Sequence, residues 1–179
     1  MPRRRVSRLL VIDASVASAS GDKAAVHPTA VGCREFLRAV LNICHRAVMT
    51  ADIKREWDDH QSRFARGWRV QMRSKNKLFD PGVSSNNKLR KKMERTAVNN
   101  RDREAILKDA HLIEAAITTE LIVISLDETA RRLFAEATKT VDALRGVVWV
   151  NPENSDEGSI DWLEKGAKVE NKRRLGPAI

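Results

Sequence analysis

Three short, uninterrupted runs of apolar residues constrain the fold of this 179-residue chain more than any other feature. Residues 9–12, 121–124 and 147–150 are each four apolar residues long, and helix-like patterns separate them. An apolar run of this length without alternation predicts a strand that is buried on both faces, as in a parallel sheet covered by helices. We therefore expect an α/β domain with three layers, α/β/α, around a central and mainly parallel sheet.

The rest of the chain divides into helices, a basic insert and a tail. Helical spacing predicts helices after Thr29, after Thr50 or Asp52, from Asp102 to about residue 117, and over 130–137, with residues 47–49 as a further strand. The pattern is poorer over about residues 65–100, where a helix is expected at 88–95. We expect one domain over residues 1–150 that contains this insert, followed by a polar and basic tail over 151–179.

The net charge of +9 is concentrated in one segment of the chain. Residues 63–103 contain thirteen basic and three acidic residues, a local charge of +10, so the remainder carries −1. A nearly neutral domain with a strongly basic insert predicts a polyanionic partner, most simply nucleic acid. The alternative explanation for the charge is a solvated helix face.

Composition excludes several classes of protein. No apolar run approaches the ~20 residues of a membrane helix, and only four apolar residues follow the basic start at residues 2–5, so no secretory signal is predicted. Two cysteines exclude a disulfide framework and a Cys-rich metal site, and Cys33 and Cys44 are expected to be small buried residues of one helix. The eight glycines do not form a P-loop. We expect a cytoplasmic protein that does not interact with membranes.

Four acidic residues occupy positions where carboxylates are unusual. Asp13 and Asp127 follow two of the predicted buried strands and so belong at the carboxyl edge of the sheet, where ligands bind in such folds. Asp109 and Glu56 share helix faces with apolar residues. Each has an ordinary explanation: a turn for Asp13, a helix N-cap for Asp127, or pairing with a neighbouring base for the other two.

Together, the four acids favour a metal site. Crowded carboxylates repel one another and need a cation to remain ionised. With oxygen ligands only, that cation is expected to be Mg²⁺ or Mn²⁺. An acidic metal site beside a basic segment is typical of a phosphodiesterase, in which the metal activates water and the basic side chains bind the phosphate backbone.

These segments resemble the PIN-domain family, the metal-dependent nucleases of bacterial toxin–antitoxin pairs and RNA-processing factors. The similar pieces are LLVIDAS at residues 9–15, Glu56, DAHLIEAA at 109–116 and IVISLD at 122–127. The resemblance covers residues 8–150 apart from most of 65–100. It implies that Asp13, Glu56, Asp109 and Asp127 are the catalytic, metal-binding acids and that Ser15 and Ser125 are supporting hydroxyls.

The resulting hypothesis is a Mg²⁺- or Mn²⁺-dependent endoribonuclease that hydrolyses phosphodiester bonds of RNA, whether tRNA, mRNA or rRNA. If it is the toxin of a toxin–antitoxin pair, an antitoxin protein is a further partner; a homodimer is another candidate assembly. The alternative is a catalytically inactive PIN-like module that binds nucleic acid or a protein partner. Trp57 and Trp68 are expected either to stack on bases or to lie in the core. The expected nucleic-acid contacts are Arg66, Arg69, Arg73, Lys88, Arg90, Lys91, Lys92 and Arg95.

Overall fold

A computed structural model describes residues 6–177 of the chain. In chain order its elements are β1 (Leu9–Ile12), α1 (Ala14–Ala19), α2 (Pro28–Asn42), β2 (Arg46–Val48), α3 (Ala51–His60), α4 (Arg63–Ser74), β3 (Leu78–Phe79), α5 (Asn87–Glu94), α6 (Asn100–Ile117), β4 (Ile122–Ile124), α7 (Glu128–Ala137), β5 (Val148–Val150) and α8 (Ser159–Glu164). Single turns of 3-10 helix lie at Asp142–Leu144, Ser155–Glu157 and Asn171–Arg173. Within residues 6–177, no helix has the length and apolar character needed to cross a membrane.

The five strands form one parallel sheet in the order β3-β2-β1-β4-β5, with helices on both faces. Val11 of β1 pairs with Val48 of β2 on one side and with Val123 of β4 on the other. The predicted three-layer α/β/α architecture is therefore confirmed. The strand order reverses direction between β1 and β4, which creates a crevice at the carboxyl ends of those two strands.

Two tryptophans pack inside the core. Trp57 and Trp68 are 0% and 1% exposed, and their rings stack with centroids 5.5 Å apart. Each indole N–H is satisfied by a backbone carbonyl: Trp57 donates to Ile12 at 2.9 Å and Trp68 to Leu37 at 2.6 Å. The core alternative is confirmed, and stacking of these two rings on bases is wrong because neither ring reaches the surface.

The insert expected at residues 65–100 is built into the fold. It supplies β3, which pairs with β2 as the fifth strand of the sheet, and helices α4 and α5, which pack on α2 and α6. Lys77 shows why the segment belongs to the body of the domain. Its buried ammonium group donates to the carbonyls of Val40 at 2.5 Å, Leu41 at 2.8 Å and Ile43, and so satisfies the carboxyl end of α2.

Residues 151–177 also pack on the domain, whereas the sequence pattern predicts a polar tail over 151–179. Trp162 and Leu163 are buried in the core, and the backbone N–H of Leu175 donates to Val147 at 2.8 Å beside β5. A Cβ atom on Gly176 would lie 2.8 Å from the Cα of Arg145, so the chain can approach this closely only at a glycine. The segment contains few apolar residues, but the fold buries the largest of them.

Replacing Lys77 with Met should lower the free energy of unfolding by about 2–3 kcal/mol, because three carbonyl groups lose a charged donor. Urea denaturation at neutral pH measures this difference. The matched control is Lys75→Met, which removes an exposed lysine from the same segment and should change stability by less than about 0.5 kcal/mol. Equal stabilities for the two variants would contradict the capping role of Lys77.

Candidate active site

The carboxyl ends of β1 and β4 open into a cavity of about 360 Å³, here called the acidic cavity. All four acids singled out in the sequence contribute to its wall, from four different segments of the chain. Its lining residues are Asp13, Ala14, Ser15, Ser18, Glu56, His60, Lys108, Asp109 and Asp127. The cavity therefore lies at the switch point of the sheet, where α/β proteins bind ligands.

Asp13 is the most constrained of the four acids. It is 7% exposed, and its Oδ2 atom accepts hydrogen bonds from the hydroxyls of Ser15 at 2.5 Å and Ser125 at 2.7 Å. Asp13 stands at the N-cap position of α1, but its side chain makes no capping hydrogen bond. The carboxylate is thus directed by two serines rather than used to stabilise the helix.

Asp109 is a carboxyl group that the fold leaves poorly compensated. It is 3% exposed on α6, and burial raises its pKa to about 6, with further upward contributions from Asp13 and Asp127. The nearest opposing charge is the ammonium group of Lys108, whose Nζ lies 3.7 Å from Oδ1. Lys108 in turn has a raised pKa because of Asp109 first, and also because of Asp127, Asp13 and Glu56. The ammonium group of Lys108 therefore interacts electrostatically with all four acids.

Asp127 and Glu56 complete the wall of the acidic cavity. The Oδ1 atom of Asp127 accepts from the backbone N–H of Ala130 at 2.8 Å, so the expected N-cap role is present together with the position in the cavity. Glu56 keeps 32% of its side chain exposed, and its Oε2 lies 3.4 Å from Nε2 of His111. These two acids are closer to solvent than Asp13 and Asp109.

The donor chemistry of the acidic cavity suits a hard divalent cation, because it offers carboxylate oxygens and includes a buried carboxyl whose ionised form needs a counter-charge. Asp13 and Asp109, which are 7% and 3% exposed, are the residues that could hold such an ion. Within residues 6–177, however, no three His, Cys, Asp or Glu side chains converge closely enough to hold one ion. The acids line the cavity without closing on a single point, and an ammonium group lies among them.

A second cavity of about 340 Å³, here called the polar cavity, adjoins the first. The two share the lining residues Glu56, His60 and Lys108, so they lie side by side at α3 and α6 and are together called the cleft. Arg90 of α5 and His111 of α6 also line the polar cavity. His111 was not among the residues predicted for the site, although a buried-type position for a histidine, among the apolar residues that follow Asp109, was a usable signal.

The eight basic residues expected to bind nucleic acid fall into two groups. Arg69 pairs with Asp58 at 2.5 Å, and the hydrogen bonds from Lys54 and then Arg69 lower the pKa of Asp58 to about 2. Arg90 makes a two-pronged contact with the buried Glu114, at 2.7 and 2.8 Å. The remaining six side chains belong to exposed residues: Arg66, Arg73, Lys88, Lys91, Lys92 and Arg95.

Glu114 is a second residue near the cleft, besides His111, that the sequence pattern did not predict. Its side chain is 4% exposed, and besides Arg90 it accepts from the backbone N–H of Asn86 at 2.8 Å. These contacts fix the start of α5 on α6 and bring Arg90 to the polar cavity. The signal was present, since Glu114 lies inside an otherwise apolar stretch of α6.

Comparison of the chain with protein-family models, with curated proteins and with solved structures finds no match.

Replacing Asp109 with Asn should stabilise the metal-free protein at pH 7.5. The folded-state pKa of Asp109, about 6, lies above its ordinary value of 3.8, so the folded state binds the proton more tightly than the unfolded chain. The contribution of this group to stability is therefore lost as the pH rises through 4 to 6, and the ionised carboxylate is unfavourable above that range. Thermal melting in EDTA should give a gain for Asp109→Asn at pH 7.5 that shrinks at pH 5.

The matched control is Glu104→Gln, at an exposed position of the same helix, which should melt like the wild type at both pH values. An Asp109→Asn variant that melts at the same temperature as the wild type at both pH values would contradict the conclusion that ionised Asp109 destabilises the metal-free fold.

Proposed function

We propose that this protein is a Mg²⁺- or Mn²⁺-dependent endoribonuclease of the PIN type. The observation that carries the proposal is the gathering of Asp13, Glu56, Asp109 and Asp127 around one cavity at the switch point of the sheet. Packing of the core does not explain four carboxylates at this place. A carboxylate beside apolar residues is unfavourable, and burial raises the pKa of one of the four, Asp109. A site for divalent cations explains why the fold accepts this arrangement.

The distribution of basic side chains supports a polyanionic substrate. Lys88, Lys91 and Lys92 on α5 and Arg95 at its C-cap are exposed, whereas Leu89 and Met93 are buried, so the helix turns a basic face to solvent. Arg90 on the same helix reaches the polar cavity. A phosphodiester backbone bound along α5 can therefore continue through the polar cavity into the acidic cavity.

In the proposed reaction, Asp13 and Asp109 are the primary holders of the metal, with Glu56 and Asp127 completing the site. The bound ion would supply activation of water and neutralisation of charge on the phosphate. Ser15 and Ser125 keep the Asp13 carboxylate in one orientation through hydrogen bonds to the same oxygen. The partly exposed carboxylate of Glu56 can also orient the attacking water, and the ammonium of Lys108 can bind a phosphate oxygen.

A PIN-like binding module without catalysis is the second candidate. It is favoured by the position of the Lys108 ammonium among the acids and by the lack, within residues 6–177, of three ligating side chains around one point. In this version RNA or a protein partner such as an antitoxin would occupy the cleft and no ion would be needed. Calorimetric titration with Mn²⁺ separates the two, because only the nuclease has a Mn²⁺ site that disappears in Asp13→Asn or Asp109→Asn.

The Asp13→Asn variant should lose RNA cleavage in the presence of Mn²⁺ by at least about 100-fold, because the best-oriented metal ligand loses its charge while both serines keep a hydrogen-bond acceptor. The measurement is cleavage of tRNA, mRNA, rRNA and single-stranded DNA with and without Mn²⁺.

The matched control for that loss is Asp156→Asn, an exposed acid outside the cavity, which should cleave like the wild type. Equal rates for Asp13→Asn and the wild type would overturn the assignment of the site.

The double variant Lys91→Gln, Lys92→Gln should weaken RNA binding and reduce the slope of log K against log salt by about 1.5. Both lysines are exposed on α5, so the loss should come without a change in melting temperature. Fluorescence anisotropy over a range of salt concentrations measures the slope. The double variant Lys165→Gln, Lys168→Gln removes equal charge from another exposed region and should leave the slope unchanged. Equal changes of slope in the two double variants would contradict the proposal that RNA binds along α5.

A further inference from the structure

The imidazole of His111 has one nitrogen whose hydrogen-bonding capacity the fold does not use. Its Nδ1 atom lies 3.1 Å from the carbonyl oxygen of Lys108, so Nδ1 carries the hydrogen of the neutral ring, since a carbonyl only accepts. Nε2 then presents a lone pair. The residue is 7% exposed, and Nε2 is buried without a hydrogen-bond partner among residues 6–177 although it lines the polar cavity.

The group opposite this nitrogen is a carboxylate. Oε2 of Glu56 lies 3.4 Å from Nε2 of His111, so two electron-pair donors face each other across a short gap. Two ligands that are each ~2.1 Å from one tetrahedral cation lie about 3.4 Å apart. The backbone carbonyl on Nδ1 completes the arrangement that is usual for a histidine ligand, in which the second ring nitrogen is fixed by a hydrogen bond.

A third donor is within reach on α3. His60 follows Glu56 by four residues, which places both side chains on one face of the helix, and His60 lines both cavities. It is exposed, so its side chain can change rotamer without disturbing the core. Rotation of His60 toward Glu56 would provide the third protein ligand that the present side-chain positions do not bring together.

We propose that His111 and Glu56, with His60 as the third ligand, form a binding site for a divalent transition-metal ion in the polar cavity. Imidazole nitrogen favours Co²⁺ or Zn²⁺ over Mg²⁺ and Mn²⁺, so this site differs in its metal preference from the all-oxygen acidic cavity. The site extends the proposed nuclease centre and rests on that proposal only through the shared carboxylate of Glu56. Where both positions are filled, Glu56 lies between them, and the second ion can neutralise charge on the bound phosphate backbone.

The experiment uses the full-length protein, stripped of metal with EDTA, and Co²⁺ as the probe. Equilibrium dialysis gives the affinity, and the visible absorption of Co²⁺ reports nitrogen ligation. His111→Gln should weaken Co²⁺ binding at the nitrogen-containing site by at least about tenfold and remove its absorption band. The matched control is His27→Gln, an exposed histidine at the start of α2, which should bind like the wild type.

Unchanged Co²⁺ affinity and absorption in His111→Gln would overturn the proposal and leave His111 as a buried neighbour of Glu56 only. A measurement on the wild type covers the case in which the variant does not fold. Co²⁺ should shift or broaden the ¹⁵N resonance of His111 Nε2 beyond detection, and an unperturbed resonance at saturating Co²⁺ would also overturn it.

The failure of this site and the failure of the proposed function have different signatures. If the nuclease proposal is wrong, RNA remains uncleaved while Co²⁺ still binds through His111. If the His111 site is wrong, Asp13→Asn still abolishes cleavage while Co²⁺ binding is the same in His111→Gln and the wild type.

Discussion

The buried carboxylate of Asp13, held by two serine hydroxyls, is the contact on which the geometry of the site depends. Ser15 follows β1 and Ser125 follows β4, so the shared oxygen of Asp13 connects the ends of the two strands at which the sheet order reverses. The same hydroxyls also accept hydrogen bonds from the backbone. The N–H of Leu126 donates to Ser15 at 3.2 Å, and the N–H of Asp127 donates to Ser125 at 3.1 Å. The network therefore sets the turn that carries Asp127 as well as the orientation of Asp13.

Charge is divided within the molecule in a way that the net value of +9 conceals. Part of the basic segment is used internally, as Lys77 satisfies the end of α2 and Arg69 and Arg90 form ion pairs. Glu114 anchors α5 to α6, so Arg90 of that helix lines the polar cavity while Lys88, Lys91 and Lys92 are exposed. A buried acid thus positions a basic helix, one arginine of which reaches the polar cavity.

The sequence predicted the strands and helices where the pattern is strong and failed where tertiary contacts decide. The predicted strands β1, β4 and β5 lie within residues 9–12, 121–124 and 147–150. A short continuous apolar run is typical of a strand that is buried on both faces of a parallel sheet. The two-residue strand β3 and the six-residue helix α1 were missed, since neither is long enough to show a period. The four acids were found because carboxylates contradict an apolar context. His111 and Glu114 carry the same kind of signal, but their partners, Glu56 and Arg90, are distant in sequence and only the fold reveals them.

The proposed function requires a divalent cation in the acidic cavity between Asp13 and Asp109. The most direct test is an anomalous difference map from crystals grown with Mn²⁺ at a concentration that supports RNA cleavage. We expect a peak within ligating distance of both carboxylates, and its loss in crystals of Asp13→Asn. A map with no peak in this cavity, from protein that cleaves RNA under the same conditions, would contradict it.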